Sequence, residues 1–249
     1  MEPSHTRHDR FTATVAQIDR LNAETVAVRL ACPDITHYRA GQYLKVYIDE
    51  KTARCYSLAS APGIDAHLQL HIRRGAVGSA SRWFHEVLKA GDAIQISGPQ
   101  GYCGYHADRP DQPLLMIATG SGLAPYYGIA RAALQHGHRA PIRLYHGVRH
   151  SADLYLGEQL RSLARLHPNF HYLPCISGGE RLEGCFAGRS LHAAIRETPL
   201  SQAWRVYLSG HPEMVEDGWK LALRAGVPPE AVFSDQLPNR AATLAVLAA

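Results

Sequence analysis

The chain has 249 residues, 46% of them hydrophobic and 19% charged, a composition that excludes intrinsic disorder and leaves room for two compact domains. Its formal charge of +4 is mild and no block of like charges occurs, so nucleic-acid binding has little support. No apolar run reaches the ~18–20 residues that cross a bilayer, and five cysteines (Cys32, Cys55, Cys103, Cys175, Cys185) without a Cys-x-x-Cys pair argue against a zinc ribbon, a disulfide framework or an iron–sulfur cluster.

Residues 1–9 are polar and lack a signal-peptide core; they read as a frayed tail, and a cytoplasmic location is the default expectation. Segments rich in β-branched or aromatic residues follow at 11–18, 25–30, 43–48, 55–58, 67–72 and 93–96. Residues 81–88 interrupt them with apolar side chains three to four apart, the spacing of a short helix. Six short strands separated by Gly and Pro turns predict an antiparallel β-barrel over residues 10–105.

Near residue 105 the pattern changes. Residues 114–118 form a continuous apolar run, the mark of a strand covered on both faces. Strands of similar type are expected at 142–145, 170–173, 205–208 and 231–233, with helices at about 125–136, 153–165, 189–196 and 212–225. This alternation predicts an α/β domain with a doubly wound parallel sheet over residues 112–237. The loop 102–113 is then the domain joint. Residues 238–249 read as a second tail, whose alanine-rich stretch 241–249 could dock as a short helix.

Three short motifs could carry chemistry, and each has a plain structural reading beside the functional one. Arg54 and Tyr56 alternate on one face of a strand. A guanidinium suits a phosphate and a tyrosine ring suits a flat heterocycle, but an exposed arginine beside a half-buried tyrosine fits equally. Gly78-Ser79-Ala80-Ser81 opens the short helix; its amides and hydroxyls could hold a diphosphate, or a serine could simply cap the helix. Gly120-Ser121-Gly122 follows a buried strand and precedes a helix with Pro125 in its first turn. Such a turn lets backbone approach a pyrophosphate, or merely reverses the chain. The third glycine of the usual dinucleotide fingerprint is absent. Neither a Gly-x-Ser-x-Gly elbow nor a lysine-bearing phosphate loop occurs, so hydrolase and ATPase readings lack support. Among fifteen histidines, His146 and His150 have ligand-like spacing but straddle Gly147 at a strand exit, and no metal site is expected.

Taken in order, these residues resemble the ferredoxin–NAD(P)H reductase superfamily from about residue 10 to residue 237. Arg-x-Tyr-Ser at 54–57 is similar to that family's flavin motif. The resemblance implies that Arg54 binds the FAD diphosphate, Tyr56 stacks on the isoalloxazine and Ser57 hydrogen-bonds near its N5. His71, Ile72 and Arg73 match the strand along the ribityl chain, and Gly78 to Ser81 match the diphosphate motif, with Ser79 and Ala80 offering backbone amides. Thr119, Gly120, Ser121, Gly122, Ala124 and Pro125 match the pyridine-nucleotide loop. Gly147 and Arg149 resemble the segment facing the adenosine ribose. Ser209-Gly210-x-Pro212-x-Met214 resembles the Cys-Gly-x-Pro-x-Met motif near the nicotinamide. Ser209 departs from the family's cysteine, and Leu237 stands where an aromatic ring often covers the flavin.

The implied reaction is hydride transfer from NAD(P)H to FAD, aided by Ser57 and Ser209, followed by single-electron transfer to a separate ferredoxin or oxygenase component. The cofactors do the redox chemistry and the protein aligns them. With Arg149 the one obvious partner for a 2′-phosphate, the sequence leans to NADH. A free-flavin reductase is the nearest rival, through the similarity of 39–44, but retention of the motifs at 78–81 and 98–101 favours a held FAD. A non-catalytic nucleotide-sensing subunit is the third reading.

Overall fold

A computed structural model describes residues 10–77, 79–234 and 236. Gly78, Leu237 and the tails 1–9 and 238–249, including the alanine-rich stretch, lie outside the described residues. Six strands come first: β1 (Arg10–Arg20), β2 (Thr25–Ala31), β3 (Tyr43–Tyr47), β4 (Ala53–Ser57), β5 (Leu68–Arg73) and β6 (Ala93–Gln100). They form one antiparallel sheet in the order β4-β3-β6-β1-β2-β5. Its two edges meet where Leu58 bridges Leu70 and the Ala59 amide donates to the Gln69 carbonyl at 2.8 Å. The sheet therefore curls, as the run of short strands predicts. Inward-facing Val28, Leu30, Leu44, Val46, Leu70, Ile72 and Ile96 fill it, because alternate residues of a strand face opposite sides. Helix α1 (Ala80–Glu86) lays the fully buried Phe84 onto that core.

The second sheet is parallel throughout, in the order β10-β9-β8-β7-β11-β12. In chain order its elements are β7 (Leu114–Thr119), α2 (Leu123–Gln135), β8 (Ile142–Val148), α3 (Gly157–Leu166), β9 (Phe170–Ile176), β10 (Phe186–Ala187), α4 (Ser190–Glu197), β11 (Arg205–Ser209), α5 (Pro212–Arg224) and β12 (Val232–Phe233). Leu114 and Met116 pack with α2 and α3 on one face, whereas Leu115 and Ile117 pack with α4 and α5 on the other. Both faces of β7 are thus covered, which is why its sequence is apolar without alternation. The chain winds outward from β7 through β8 to β10, then returns to β11 on the opposite side. That reversal is a topological switch point, where ligands of such sheets bind beyond the carboxyl ends of the strands.

The elements differ from expectation in three places. The helix expected at 153–165 splits into a 3₁₀ turn, Ser151–Asp153, and α3, because Leu156 adopts φ +55°, a left-handed conformation that cannot continue a helix. The expected strand 231–233 contributes Val232–Phe233 alone, the residues before it forming a 3₁₀ turn. Strand β10, two residues long, has no counterpart in the sequence reading.

The sheets are joined by an apolar seam. Ala40, Ala61 and Cys103 of the first half share one buried cluster with Ile129, Ala130 and Ala133 of α2. Gly41 sits within it at φ +97°, and a Cβ there would collide with the Cys103 carbonyl and stand 2.6 Å from Ile129 Cδ1. Gly41→Ala combines a left-handed backbone with overpacking, each disfavoured by about 1–3 kcal/mol. A drop in urea-unfolding free energy of about 2 kcal/mol or more is expected, and an unchanged unfolding midpoint contradicts the packing described.

Candidate active site

A cleft of about 780 Å³ lies between β4 and β5 of the curled sheet and the carboxyl ends of β7, β8 and β11. On the barrel side it is lined by Tyr56, Ser57, His71 and Arg73. Tyr56 is half-buried because its ring stands edge-on to Phe84, with centroids 5.1 Å apart. Burial pushes its phenol up to about 12, so it is a neutral ring with one apolar face available. Arg73 reaches across the cleft, its Nη1 3.8 Å from where a Cβ on Gly120 would lie.

On the opposite side, Thr119 ends β7 and Gly120–Gly122 form a 3₁₀ turn before α2 begins at Leu123, with Ala124 and Pro125 buried in its first turn. The turn is held by close backbone packing. A Cβ on Gly122 would lie 2.5 Å from the Ser209 carbonyl oxygen, and one on Gly210, at φ +124°, would collide with Thr119 Oγ1. Thr119 Oγ1 in turn accepts the His211 amide at 2.7 Å. Gly147, at the end of β8, leaves room for Ser190, whose Oγ donates to the Ala118 carbonyl at 3.2 Å. Helices α2, α4 and α5 all present their N-termini here, and their free amides and positive dipole ends favour an anion.

The cleft thereby gathers the sequence-expected Tyr56, Ser57, His71, Arg73, Thr119, Gly120, Ser121, Gly122, Ala124, Pro125, Gly147, Arg149, Ser209, Gly210, Pro212 and Met214. Other expected residues do not line it. Arg54 is exposed and donates to the Ala53 carbonyl at 2.8 Å. The Ile72 side chain points into the barrel core. Ser79 and Ser81 turn their hydroxyls on one another at 3.1 Å, and Ser81 Oγ accepts the Gly75 amide at 2.9 Å. Ser79 occupies the N-cap position of α1 without a side-chain cap bond, and Ala80 begins that helix. Sequence reading missed Asn22, Tyr155, Ser177, Arg189 and Gln236, which also line the cleft. Gly188-Arg189-Ser190 repeats the logic of the Gly120 turn, a glycine before a helix at the end of a strand, and could have been found that way.

Two buried histidines fix the geometry behind the cleft. His146 donates from Nε2 to the Gly120 carbonyl and accepts at Nδ1 from the Tyr172 hydroxyl, both at 3.2 Å. His71 stands edge-on to Tyr155, 5.4 Å between centroids. Both nitrogens of His146 are thus engaged, which removes it as a metal ligand. No group of three or more His, Cys, Asp or Glu among the described residues could hold a metal.

Gly122, Gly147 and Gly210 let β7, β8 and β11 and the starts of α2, α4 and α5 pack tightly on one another, and the helix N-termini that this packing gathers along the cleft form a donor set that fits a dinucleotide diphosphate. The half-buried face of Tyr56 beside Ser57 fits a planar cofactor ring. Fold and cleft together define a two-domain oxidoreductase that pairs a flavin with a pyridine nucleotide. Residues 12–105 match the oxidoreductase FAD-binding domain family and residues 116–219 the oxidoreductase NAD-binding domain family. The reductase subunit of an aromatic O-demethylase from Amycolatopsis is 35% identical over 232 residues, covering 91% of this chain and 69% of that protein. The ferredoxin–NAD(P)+ reductase component of the naphthalene 1,2-dioxygenase system of Pseudomonas putida is 35% identical over 208 residues, covering 84% and 62%. The crystal structure of an Amycolatopsis cytochrome P450 reductase superposes with a TM-score of 0.81 at 33% identity, covering 90% of this chain and 68% of that one. A Neisseria gonorrhoeae ferredoxin NADP+ reductase with bound FAD and NADP shares the fold, with a TM-score of 0.75 at 21% identity over 87% of this chain and 92% of that one. The chain belongs to the FAD-binding, NAD(P)H-dependent reductases of the ferredoxin reductase type, and FAD and NAD(P)H are its cofactors. It spans between 62% and 69% of the two relatives' lengths. No helix among the described residues is long and apolar enough to cross a membrane.

Burial pulls the His71 and His146 rings down to about 3 and about 4. The unfolded chain therefore binds protons on these rings below about pH 6.5 while the folded chain does not, so stability is full above that pH and declines as pH falls toward the folded values. The expected loss is roughly 1 kcal/mol for each ring and each pH unit in that window. Thermal melting between pH 7.5 and 4.5 should show the midpoint falling below pH 6.5, and a flat profile would mean the rings titrate when folded.

Proposed function

We propose that the chain takes a hydride from NAD(P)H onto bound FAD and passes electrons singly to a separate ferredoxin or oxygenase component. One observation carries this reading: the cleft sets Tyr56 and Ser57 of β4 opposite Gly120–Gly122 and Ser209–Gly210 at the switch point of the parallel sheet. The names of the relatives, reductase components of oxygenase systems, support the choice of acceptor. A bound flavin supplies the redox centre, accepting electrons in pairs and releasing them one at a time. Tyr56 offers a flat neutral face to the ring, and Ser57 a hydroxyl to its reactive edge. Ser209 stands beside the nicotinamide end, where its hydroxyl orients rather than transfers a proton. Gly120–Gly122, Gly147 and Arg149 hold the dinucleotide phosphates and ribose. Arg54, Ile72, Gly78, Ser79, Ala80 and Ser81 would hold the flavin's ribityl chain and diphosphate. A domain division at 10–105 and 112–237 assigns one cofactor to each half, and a cytoplasmic location is part of the same reading.

Arg54 and the two serines stand off the cleft, which favours one rival, a free-flavin reductase. Desalting followed by anaerobic mixing with NADH or NADPH distinguishes the two. Retained yellow FAD, bleached by nucleotide and reoxidised by an added [2Fe–2S] ferredoxin, is the expected result. Colour lost on desalting, with NADH oxidation restored only by added flavin, supports the rival, and retained colour that neither nucleotide bleaches defeats the hydride reading. Within the same assay, Gly122→Ala should keep its FAD yet bleach about tenfold or more slowly at fixed NADH, because the new methyl displaces the turn from Ser209.

A further inference from the structure

Helix α2 does more than present a nucleotide turn. On the flank that meets the barrel it carries Gly128, whose added Cβ would lie 2.8 Å from the Ser60 carbonyl oxygen and 3.1 Å from that of Ala59. One turn further, Arg131 is only 12% exposed in its side chain. Its Nη1 donates to Asp65 Oδ1 at 2.9 Å, and its Nη2 to Asp65 Oδ2 at 2.6 Å and to the Ala59 carbonyl at 3.0 Å. Asp65 itself accepts the Ala61 amide at 2.7 Å. The gripped loop, 59–65, begins two residues after β4 ends at Ser57. One helix therefore carries the nucleotide turn at its start and a two-pronged ionic grip on the end of the flavin strand two turns later.

A second line of contacts closes the circuit. The Arg131 guanidinium lies 4.1 Å over the Tyr127 ring. Tyr127 lies beside His71, His71 is edge-on to Tyr155, and Tyr155 is edge-on to His146, with centroids 6.1, 5.4 and 5.6 Å apart. His146 ends the line on the Gly120 carbonyl. Apolar packing alone holds two surfaces together without choosing their register. A bidentate arginine–carboxylate pair adds one preferred geometry, and breaking a pair this buried leaves a charge uncompensated.

The geometry points to Arg131 as a positioning residue: through Asp65 and the Ala59 carbonyl it fixes the nucleotide turn against the end of the flavin strand, and so sets the separation across which the hydride passes. Neither Arg131 nor Asp65 lines the cleft, so both act through other residues. This inference rests on the hydride-transfer reading above. A displacement of about 1 Å at a reacting pair can slow it by about 100-fold.

The test compares the unaltered protein with Arg131→Met, Arg131→Lys and Phe170→Leu, the last being a buried residue of the same apolar cluster outside the grip. Four quantities are read: FAD content, the dissociation constant for NAD+, the melting midpoint and the limiting rate of anaerobic bleaching by NADH. Arg131→Met should retain FAD and bind NAD+ within about threefold of the unaltered protein while its limiting bleaching rate falls by about 10- to 100-fold. Arg131→Lys should recover part of that rate, and Phe170→Leu should melt earlier without slowing. If Arg131→Met bleaches within about twofold of the unaltered protein, or slows no more than an equally destabilised Phe170→Leu, the positioning role is overturned. Should Arg131→Met fail to fold, Asp65→Asn is read by the same criteria. An unaltered protein that keeps its FAD but bleaches with neither nucleotide would instead overturn the underlying reaction.

Discussion

The backbone of Gly122 packs directly on Ser209 and Gly210, and nearly everything about the cleft follows from that contact. Gly122 leads into α2, Gly210 leads into α5, and Thr119 locks the two together through its hydroxyl and the His211 amide. Neither glycine has space for a side chain. The carboxyl ends of β7 and β11 are thereby brought close enough that two helix N-termini face one small volume, at the point where the winding of the sheet reverses. A dinucleotide site needs this convergence, since a phosphate gains little from one amide and much from several aligned ones.

The barrel contributes by different means. Its curl brings the edge strands β4 and β5 side by side, so that Tyr56 and Ser57 on one and His71 and Arg73 on the other face the parallel sheet together. Phe84 of α1 props the Tyr56 ring from behind. The histidines at the back are structural polar groups: their burial keeps them neutral, and a neutral imidazole can donate to the Gly120 carbonyl while accepting from Tyr172.

Much of this was legible in the residues. Leu114 to Ala118 announced a doubly covered strand, and the motifs at 54–57, 119–125 and 209–214 each place residues on the cleft. What stayed hidden was hidden for definite reasons. Strand β10 holds two residues, too few for any period to show. Leu156 reads as an ordinary helical leucine, and nothing in its neighbours signals a left-handed backbone. Asn22, Tyr155 and Gln236 reach the cleft from loops more than a hundred residues apart in two of the three gaps, a proximity only the folded chain creates. Arg54 lies outside the cleft, its guanidinium hydrogen-bonded to the adjacent carbonyl of Ala53.

The brevity of β10 and β12 has a consequence of its own. They are the outermost strands of the parallel sheet, and each offers just two residues of backbone to the outside. A long flat margin would invite a stranger's extended segment to add itself by main-chain pairing, the route by which sheets recruit one another into aggregates. β10 and β12 themselves give such a segment little to grasp, though they pair only Cys175–Ile176 of β9 and Val206–Tyr207 of β11.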